Sequence, residues 1–268
     1  MKNNSENILL ADLNDNGVLR ITLNDPNNKN ALSELMMQKL INTITGASKD
    51  NSVRVIVIAS TGDVFCSGHN LKEINEARKA NDSGESYYLE LFKTCSSLMQ
   101  LIVNCSKPVI AEINGIATAA GCQLVASCDL ALSSESSKFA TPGVNLGLFC
   151  STPMVALSRN VTKKNAMKML LTGDMINAYE AKNISLINEY HTEAKLTKTV
   201  MMLAQKIAKK SSATIKIGKE AFYKQLEMNL SDAYEYTSRV MAENTLKDDA
   251  KEGIESFIKK RKPNWSDS

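Results

Sequence analysis

The sequence predicts an α/β protein with a helical C-terminal part. Three observations carry this. Short apolar runs recur in the first half, over 53–58, 108–113 and 129–132, and the later two lead through a loop into a helical pattern. From Thr162 onward the pattern is almost wholly helical. Of the 268 residues 43% are hydrophobic and 23% charged, which supplies a sizeable core and excludes disorder over most of the chain. Repeated strand–loop–helix units fit a spiral of ββα turns. They fit an open doubly wound sheet as well, and periodicity does not separate the two.

Residues 8–13 and 18–23 flank Asn14-Asp15-Asn16-Gly17, whose Asn-Gly pair supports positive φ, so they form a β-hairpin. Asp25-Pro26 opens a turn. Ser33 caps a helix to about Ser48, with Leu35, Met36, Leu40, Ile41 and Ile44 on its apolar face. The β-branched run 53–58 is a buried strand, and 65–70 is a tight loop. Residues 75–86 are polar and read as a mobile connection. A helix follows over 88–103, then the strand 108–113, a helix from about Ala119 and the strand 129–132. Helices are placed at 163–171, 178–182, 194–210, 212–226 and 231–258.

Several function classes fall away. The formal charge of +3 is small and scattered, which excludes a nucleic-acid footprint. No apolar stretch reaches 18 residues, so no membrane span is expected. The start Met-Lys-Asn-Asn-Ser-Glu-Asn lacks an apolar signal core and an Arg-rich transit pattern. Six cysteines without a C-x-x-C pair read as reduced thiols, and a cytoplasmic setting is expected. Two histidines, His69 and His191, without paired metal-ligand spacing give no metal site.

Two glycine-containing turns follow predicted strands. One is Phe65-Cys66-Ser67-Gly68-His69-Asn70. The other, Asn114-Gly115 through Gly121-Cys122-Gln123, runs into a helix. Each turn can leave a backbone N–H free at the mouth of a sheet, and two such groups aimed at one carbonyl oxygen form an oxyanion hole. A helix N-terminus adds partial positive charge to the second. Close packing of helix on strand at small residues explains the same glycines.

The ordered set is more specific. It reads L-N-D-P-x-N-K-N-A-L at 23–32, F-C-S-G-H-N-L-K-E at 65–73 and K-P-V-I-A-E-I-N-G-I-A-T-A-A-G-C-Q-L at 107–124. C-D-L-A at 128–131, K-F-A-T-P-G-V-N-L-G-L at 138–148 and F-I-K-K-R-K-P-N-W at 257–265 complete it. This set resembles the crotonase (enoyl-CoA hydratase/isomerase) superfamily along nearly the whole chain.

The resemblance implies a ββα spiral core that binds acyl-CoA over 1–195 and a helical segment over 196–268 that trimerises, giving a homotrimer or a dimer of trimers. The apolar residues Leu196, Val200, Phe222, Leu226 and Leu230 of that segment need covering surfaces. The resemblance further implies an acyl-CoA thioester as partner and no separate cofactor, CoA being part of the substrate. The oxyanion N–H groups fall on His69 and Ala120. Contacts to the CoA moiety fall on Lys29, Asn30 and Ala31, on His69, Asn70, Leu71 and Lys72, and on Phe257 and Lys260 from a neighbouring subunit. Lysines suit the phosphates of CoA.

One departure stands out. The two hydratase glutamates fall on Gln123 and Gly143, and neither residue transfers a proton near neutral pH. Ordinary hydration is therefore expected to be weak or absent. His69, Thr141, Asn145, Cys150 and Ser151 are the residues nearby in sequence that offer substitute chemistry. Each has a plainer reading, Cys150 as a small core residue and Asn145 as a turn former. Glu112 is unusual in a buried strand and is read as facing a subunit or solvent layer. Asp129 is read as a backbone hydrogen-bonding residue and His191 as exposed and inert. Three readings share fold and ligand: an acyl-CoA enzyme with altered chemistry, a non-catalytic acyl-CoA binder, and a thioesterase or other hydrolase.

Overall fold

The computed structural model describes residues 7–268. Strands β1 (Leu9–Leu13) and β2 (Val18–Leu23) form the expected hairpin around Gly17. Helix α1 (Glu34–Lys49) starts at Ser33, whose side chain accepts from the Met36 N–H. It buries Met36, Met37, Leu40 and Ile44, while Leu35 is turned to the exterior, so the core-facing stripe is rotated from the expected one.

Three ββα turns then follow. The first contains β3 (Val55–Ser60), β4 (Val64–Cys66), α2 (Leu71–Ala77) and α3 (Glu85–Asn104). The second contains β5 (Val109–Ile113), β6 (Ile116–Thr118) and α4 (Ala120–Ser127). The third contains β7 (Leu130–Ser134), β8 (Lys138–Ala140), α5 (Ser151–Asn160) and α6 (Lys163–Thr172). Each turn places its first strand in a six-stranded sheet ordered β1-β2-β3-β5-β7-β10, where β10 is Glu189–His191. Its second strand enters a four-stranded sheet ordered β4-β6-β8-β9, where β9 is Ile176–Asn177. Within the turns all neighbours pair in parallel. The structure therefore decides for the spiral over the open doubly wound sheet.

The main core lies between the sheets and helices α1, α3 and α4, with Phe65, Phe139, Leu40 and Leu98 fully enclosed. A second cluster covers the other face of the large sheet. There α8 (Glu193–Ala208) lays Leu196, Val200 and Ala204 on Val18, Val55, Val57 and Ile110. The boundary between residues 195 and 196 thus runs through a helix that closes the core. Helices α9 (Ser212–Gln225), α10 (Leu230–Thr245) and α11 (Asp248–Ile258) complete the chain after α7 (Ala178–Asn183).

The structure differs from the expectation in several places. Residues 65–66 belong to β4 rather than to a loop, and β6 and β8 are strands that the local pattern does not signal. Residues 75–86 carry the end of α2, a set of turns and the start of α3, and the Tyr88 hydroxyl donates to the Ile74 carbonyl across them. Helix α5 occupies a stretch with no assignment, Pro153 being tolerated in its first turn. The single helix 231–258 is two, interrupted at Leu246-Lys247.

Candidate active site

Parallel pairing of β4 with β6, Cys66 opposite Ala117, sends the loops that leave both strands out side by side. Gly68 stands in the left-handed region at φ +92, and a Cβ there would come within 2.9 Å of Ala119 Cβ and 3.2 Å of Ala120 N. The loop is tied on its far side to Leu32, whose N–H donates to the Gly68 carbonyl at 2.7 Å. In that parallel bridge the N–H of His69 itself points away from Leu32.

Ala119 carries φ 51 and ψ −119, a conformation that costs a non-glycine residue about 1–3 kcal/mol. Its N–H donates to Ala140 O at 2.9 Å and its carbonyl accepts from Gln123 N at 3.0 Å, which holds the sharp entry into α4. Ala120 is the first residue of α4, so no carbonyl of the helix can accept from its N–H. A Cβ on Gly121 would overlap the carbonyl oxygen of Cys66, so the first turn of α4 rests directly on the β4 backbone. Close packing of helix on strand, the plainer reading of these glycines, is what brings the two loops together.

Gln123 lies one turn further along α4 and is 3% exposed. Its Oε1 accepts from Cys95 Sγ of α3 at 3.9 Å. The residue lines a cavity of about 1270 Å³ between α3, α4, α5 and α9. Burial pushes the Cys66 and Cys95 thiols up to about 12, so both remain protonated and apolar in character. The His69 ring sits edge-on to Phe92 at 5.4 Å, with Nδ1 3.4 Å from Leu32 O and Nε2 enclosed without a partner. Burial lowers its pKa, offset only in part by Leu32, so the ring is neutral at pH 7.

Gly143 is buried and does not need a left-handed φ. Its constraint is steric: a Cβ would stand 2.8 Å from Cys150 Sγ and 2.8 Å from Leu148 O. Cys150 is 8% exposed and burial raises its thiol pKa, which disfavours the thiolate and fits the plainer reading as a small core residue. Thr141 is fully buried with a hydroxyl that lacks a partner. Asn145 is exposed, its amide against Gly173, and Ser151 opens α5 with its hydroxyl on Phe149 O.

The remaining residues separate clearly. Asn30 is 0% exposed, with its amide donating to Thr61 O and Val64 O and its Oδ1 accepting from Asp25 N. Its side chain is spent inside the fold and its backbone N–H donates to Asp25 O, so the contact to the CoA moiety expected of Asn30 is not open to a ligand. Ala31 is buried beside it, whereas Lys29 is exposed near Asp63. Asn70 caps α2 by accepting from Lys72 N, leaving Leu71 and Lys72 exposed. Phe257 is 86% exposed at the end of α11, followed by exposed Lys260 at φ 53. Glu112 faces neither solvent nor a subunit layer: it is buried under α8, accepting from Arg20 at 2.6 Å and Thr197 at 2.7 Å. Asp129 accepts from Val109 N as expected, and also from Lys219 and Tyr223 of α9. His191 is half-buried and pairs with Glu189.

Residues 14–268 match the family model described as enoyl-CoA hydratase/isomerase. The chain belongs to this family. It is 48% identical over 254 residues to enoyl-CoA hydratase domain-containing protein 3, mitochondrial, of Xenopus laevis, covering 95% of this chain and 85% of the relative. The crystal structure of the human enoyl-CoA hydratase domain-containing protein 3 superposes with a TM-score of 0.91 at 46% identity, over 96% of this chain and 100% of that one. An enoyl-CoA hydratase structure from Mycobacterium smegmatis gives a TM-score of 0.92 at 43% identity, over 97% and 99%. The fold of this enoyl-CoA hydratase/isomerase family member is accordingly the crotonase fold.

One expectation is corrected by these matches. The cytoplasmic setting does not stand, because curated relatives from frog, mouse and human at 47–48% identity are named as mitochondrial. Cysteine usage reports a reducing interior and does not separate such compartments. The six cysteines are free and buried. Cys95 and the Asp129–Lys219–Tyr223 cluster were missed beside the family motifs. Only spatial contact brings α3 and α9 onto α4, and no local spacing signals it.

Proposed function

We propose that this protein polarises the carbonyl of an acyl-CoA thioester between the N–H groups of His69 and Ala120. The observation that carries this is the contact of Gly68 with Ala119 and Ala120, which joins the two loops at the N-terminus of α4. Both N–H groups lie at chain positions where the local backbone offers no acceptor, and helix polarity adds to the second. Gln123 and Gly143 stand at the positions of the two hydratase glutamates. One acid/base group contributes about 10²–10⁴-fold, so hydration of a simple enoyl-CoA is slow or absent. His69 does not replace them, since its Nε2 is enclosed.

The lining of the site favours a second reading, an acyl-CoA binder without turnover. Gln123 is neutral, and Cys66 and Cys95 are protonated. A panel of acyl- and enoyl-CoAs assayed for binding, hydration, isomerisation and CoA release separates the two. Binding with a hydration rate far below tens per second supports the proposal, whereas a rate in the range of ordinary enzymes overturns the acid/base assignment.

Lys29, Lys72 and, from a neighbouring subunit, Phe257 and Lys260 hold the CoA moiety in this proposal. Exposure of Leu230, Leu246, Phe257 and Ile258 at 72–86% supports burial of α10 and α11 in a trimer or a dimer of trimers. A monomer mass in dilute solution by sedimentation overturns this assembly.

A further inference from the structure

Phe257 and Lys260 stand at a bend. Helix α11 ends at Ile258, the Arg261 N–H donates to the Ser256 carbonyl at 3.0 Å, and Lys260 takes φ 53. That closure turns the chain, and residues 261–268 return along α11. Two carboxylates of the helix hold the returning segment. Glu252 accepts from the Arg261 guanidinium at 2.5 and 2.7 Å and from Asn264 N at 2.8 Å. Asp249, 2% exposed, accepts from Ser266 N at 2.7 Å, from the Ser266 hydroxyl at 2.9 Å and from Asp267 N at 3.0 Å. The Trp265 ring rests on Gly253, where a Cβ would stand 3.3 Å from Cη2.

The far end of this segment is tied to the body of the fold. Arg54, just before β3, donates to Ala208 O at 2.5 Å and to Lys210 O at 2.7 Å, at the junction of α8 and α9. Its Nη1 and Nη2 also meet the two oxygens of Asp267, at 2.6 and 3.1 Å. The N–H of Ser212, the first residue of α9, donates to the same carboxylate at 2.7 Å. Trp265 Nε1 adds a bond to Lys209 O at 2.9 Å. The Arg54 and Asp267 side chains are 23% and 34% exposed and meet in two parallel bonds, which sets them apart from a loose surface pair. Apolar packing does not fix the helix. The buried residues of α11 are Asp249 and Ser256, while Ile254, Phe257 and Ile258 are 53–86% exposed. Its direction comes from the polar anchors.

We propose that Arg54 and Asp267 are positioning residues for the CoA moiety: the strap 261–268 that they clasp sets the direction of α11 and so presents Phe257 and Lys260 to the ligand of a neighbouring subunit. This rests on the CoA contact proposed above at those two residues. Arg54 and Asp267 act through the bend and do not themselves touch the ligand.

Calorimetric titration of the full chain with butyryl-CoA and with butyryl-pantetheine, which carries the thioester but lacks the nucleotide, tests the inference. Asp267→Asn keeps the size and removes the charge that Arg54 clasps. It is expected to weaken butyryl-CoA about threefold to tenfold, a usual coupling within one network, and to leave butyryl-pantetheine binding and the sedimentation mass as in the wild type. Asp267→Glu restores the charge and should recover part of the loss. A protein with Phe257→Ala and Lys260→Ala should lose butyryl-CoA affinity by itself, and adding Asp267→Asn to it should change nothing further. Wild-type affinity in Asp267→Asn, beside a loss in the Phe257 and Lys260 variant, overturns the inference and leaves the proposed CoA contact standing. Equal weakening of both ligands by Asp267→Asn assigns the strap to general stability and overturns the inference as well. Wild-type affinity in the Phe257 and Lys260 variant removes the CoA contact itself, and the inference with it.

Discussion

The Sγ of Cys150 lies 2.8 Å from the point where a Cβ on Gly143 would stand. A thiol from the start of α5 thus fills the space that a side chain at 143 would enter. The Leu148 carbonyl closes the same space from a second direction at 2.8 Å. Because one of the two obstacles is backbone, the turn cannot clear the site by changing a rotamer.

Gly143→Ala is therefore expected to destabilise the protein by about 1–3 kcal/mol, as overpacking of a filled core does. Urea unfolding measures it. Adding Cys150→Ala should recover only part of the loss, since Leu148 O remains. Placing a carboxylate at 143 is correspondingly blocked, and Gln123→Glu alone is the clean probe of the proposed acid/base assignment. Unchanged stability in Gly143→Ala would mean that the turn is softer than its contacts imply.

Gly121→Ala places a methyl group on the carbonyl oxygen of Cys66. Helix α4 must lift from β4, which moves the Ala120 N–H relative to His69. The expected outcome is loss of thioester affinity out of proportion to any loss of stability, read by parallel calorimetry and thermal melts. Gly46→Ala serves as the control, because a Cβ there meets nothing within 4 Å.

His69 gives a pH dependence of known sign. Its pKa in the folded chain lies below the ordinary 6.5, because burial disfavours the charged ring. The unfolded chain therefore takes up the proton first as the pH falls. Its contribution to stability is intact above about pH 6.5 and declines below that value. Chemical denaturation between pH 8 and pH 5 should show this decline, and His69→Gln should flatten it. A slope identical in the variant would assign the decline to other groups.

Lys219 anchors α9 to the core. Its ammonium, with the side chain 8% exposed, donates to Ile102 O, Lys107 O and Asp129, the last at 2.6 Å. Lys219→Met leaves the Asp129 carboxylate with Val109 N and Tyr223 but no counter-charge, and is expected to cost about 3–5 kcal/mol. A further Asp129→Asn change should return part of it by removing the orphaned charge. Denaturant midpoints of the three proteins check the series, and a loss under 1 kcal/mol in Lys219→Met would show that α9 is held by other contacts.

Elements with a strong local signature were legible. The Asn-Gly hairpin, the Ser33 cap, and the strands β3, β5 and β7 follow from turn chemistry and β-branched runs, to within two residues. The strands β4, β6 and β8 are three residues each, too short for any periodicity, and these carry the site loops. Resemblance in ordered motifs pointed to His69, Ala120, Gln123 and Gly143, but not to what surrounds them. Asn30 was placed with the ligand and proves to be an internal staple, because a buried amide and an exposed one look alike in a motif.

What the sequence by itself determined is the family and the succession of strand and helix units. These are properties of residue type and order. Tertiary structure alone decided that the units wind as a spiral across two sheets, and that Cys150 rather than a left-handed φ constrains Gly143. It also brought the Cys95 thiol of α3 against the Gln123 amide of α4. Each of these depends on atoms from distant segments meeting at a few ångströms, and chain order does not specify which segments meet.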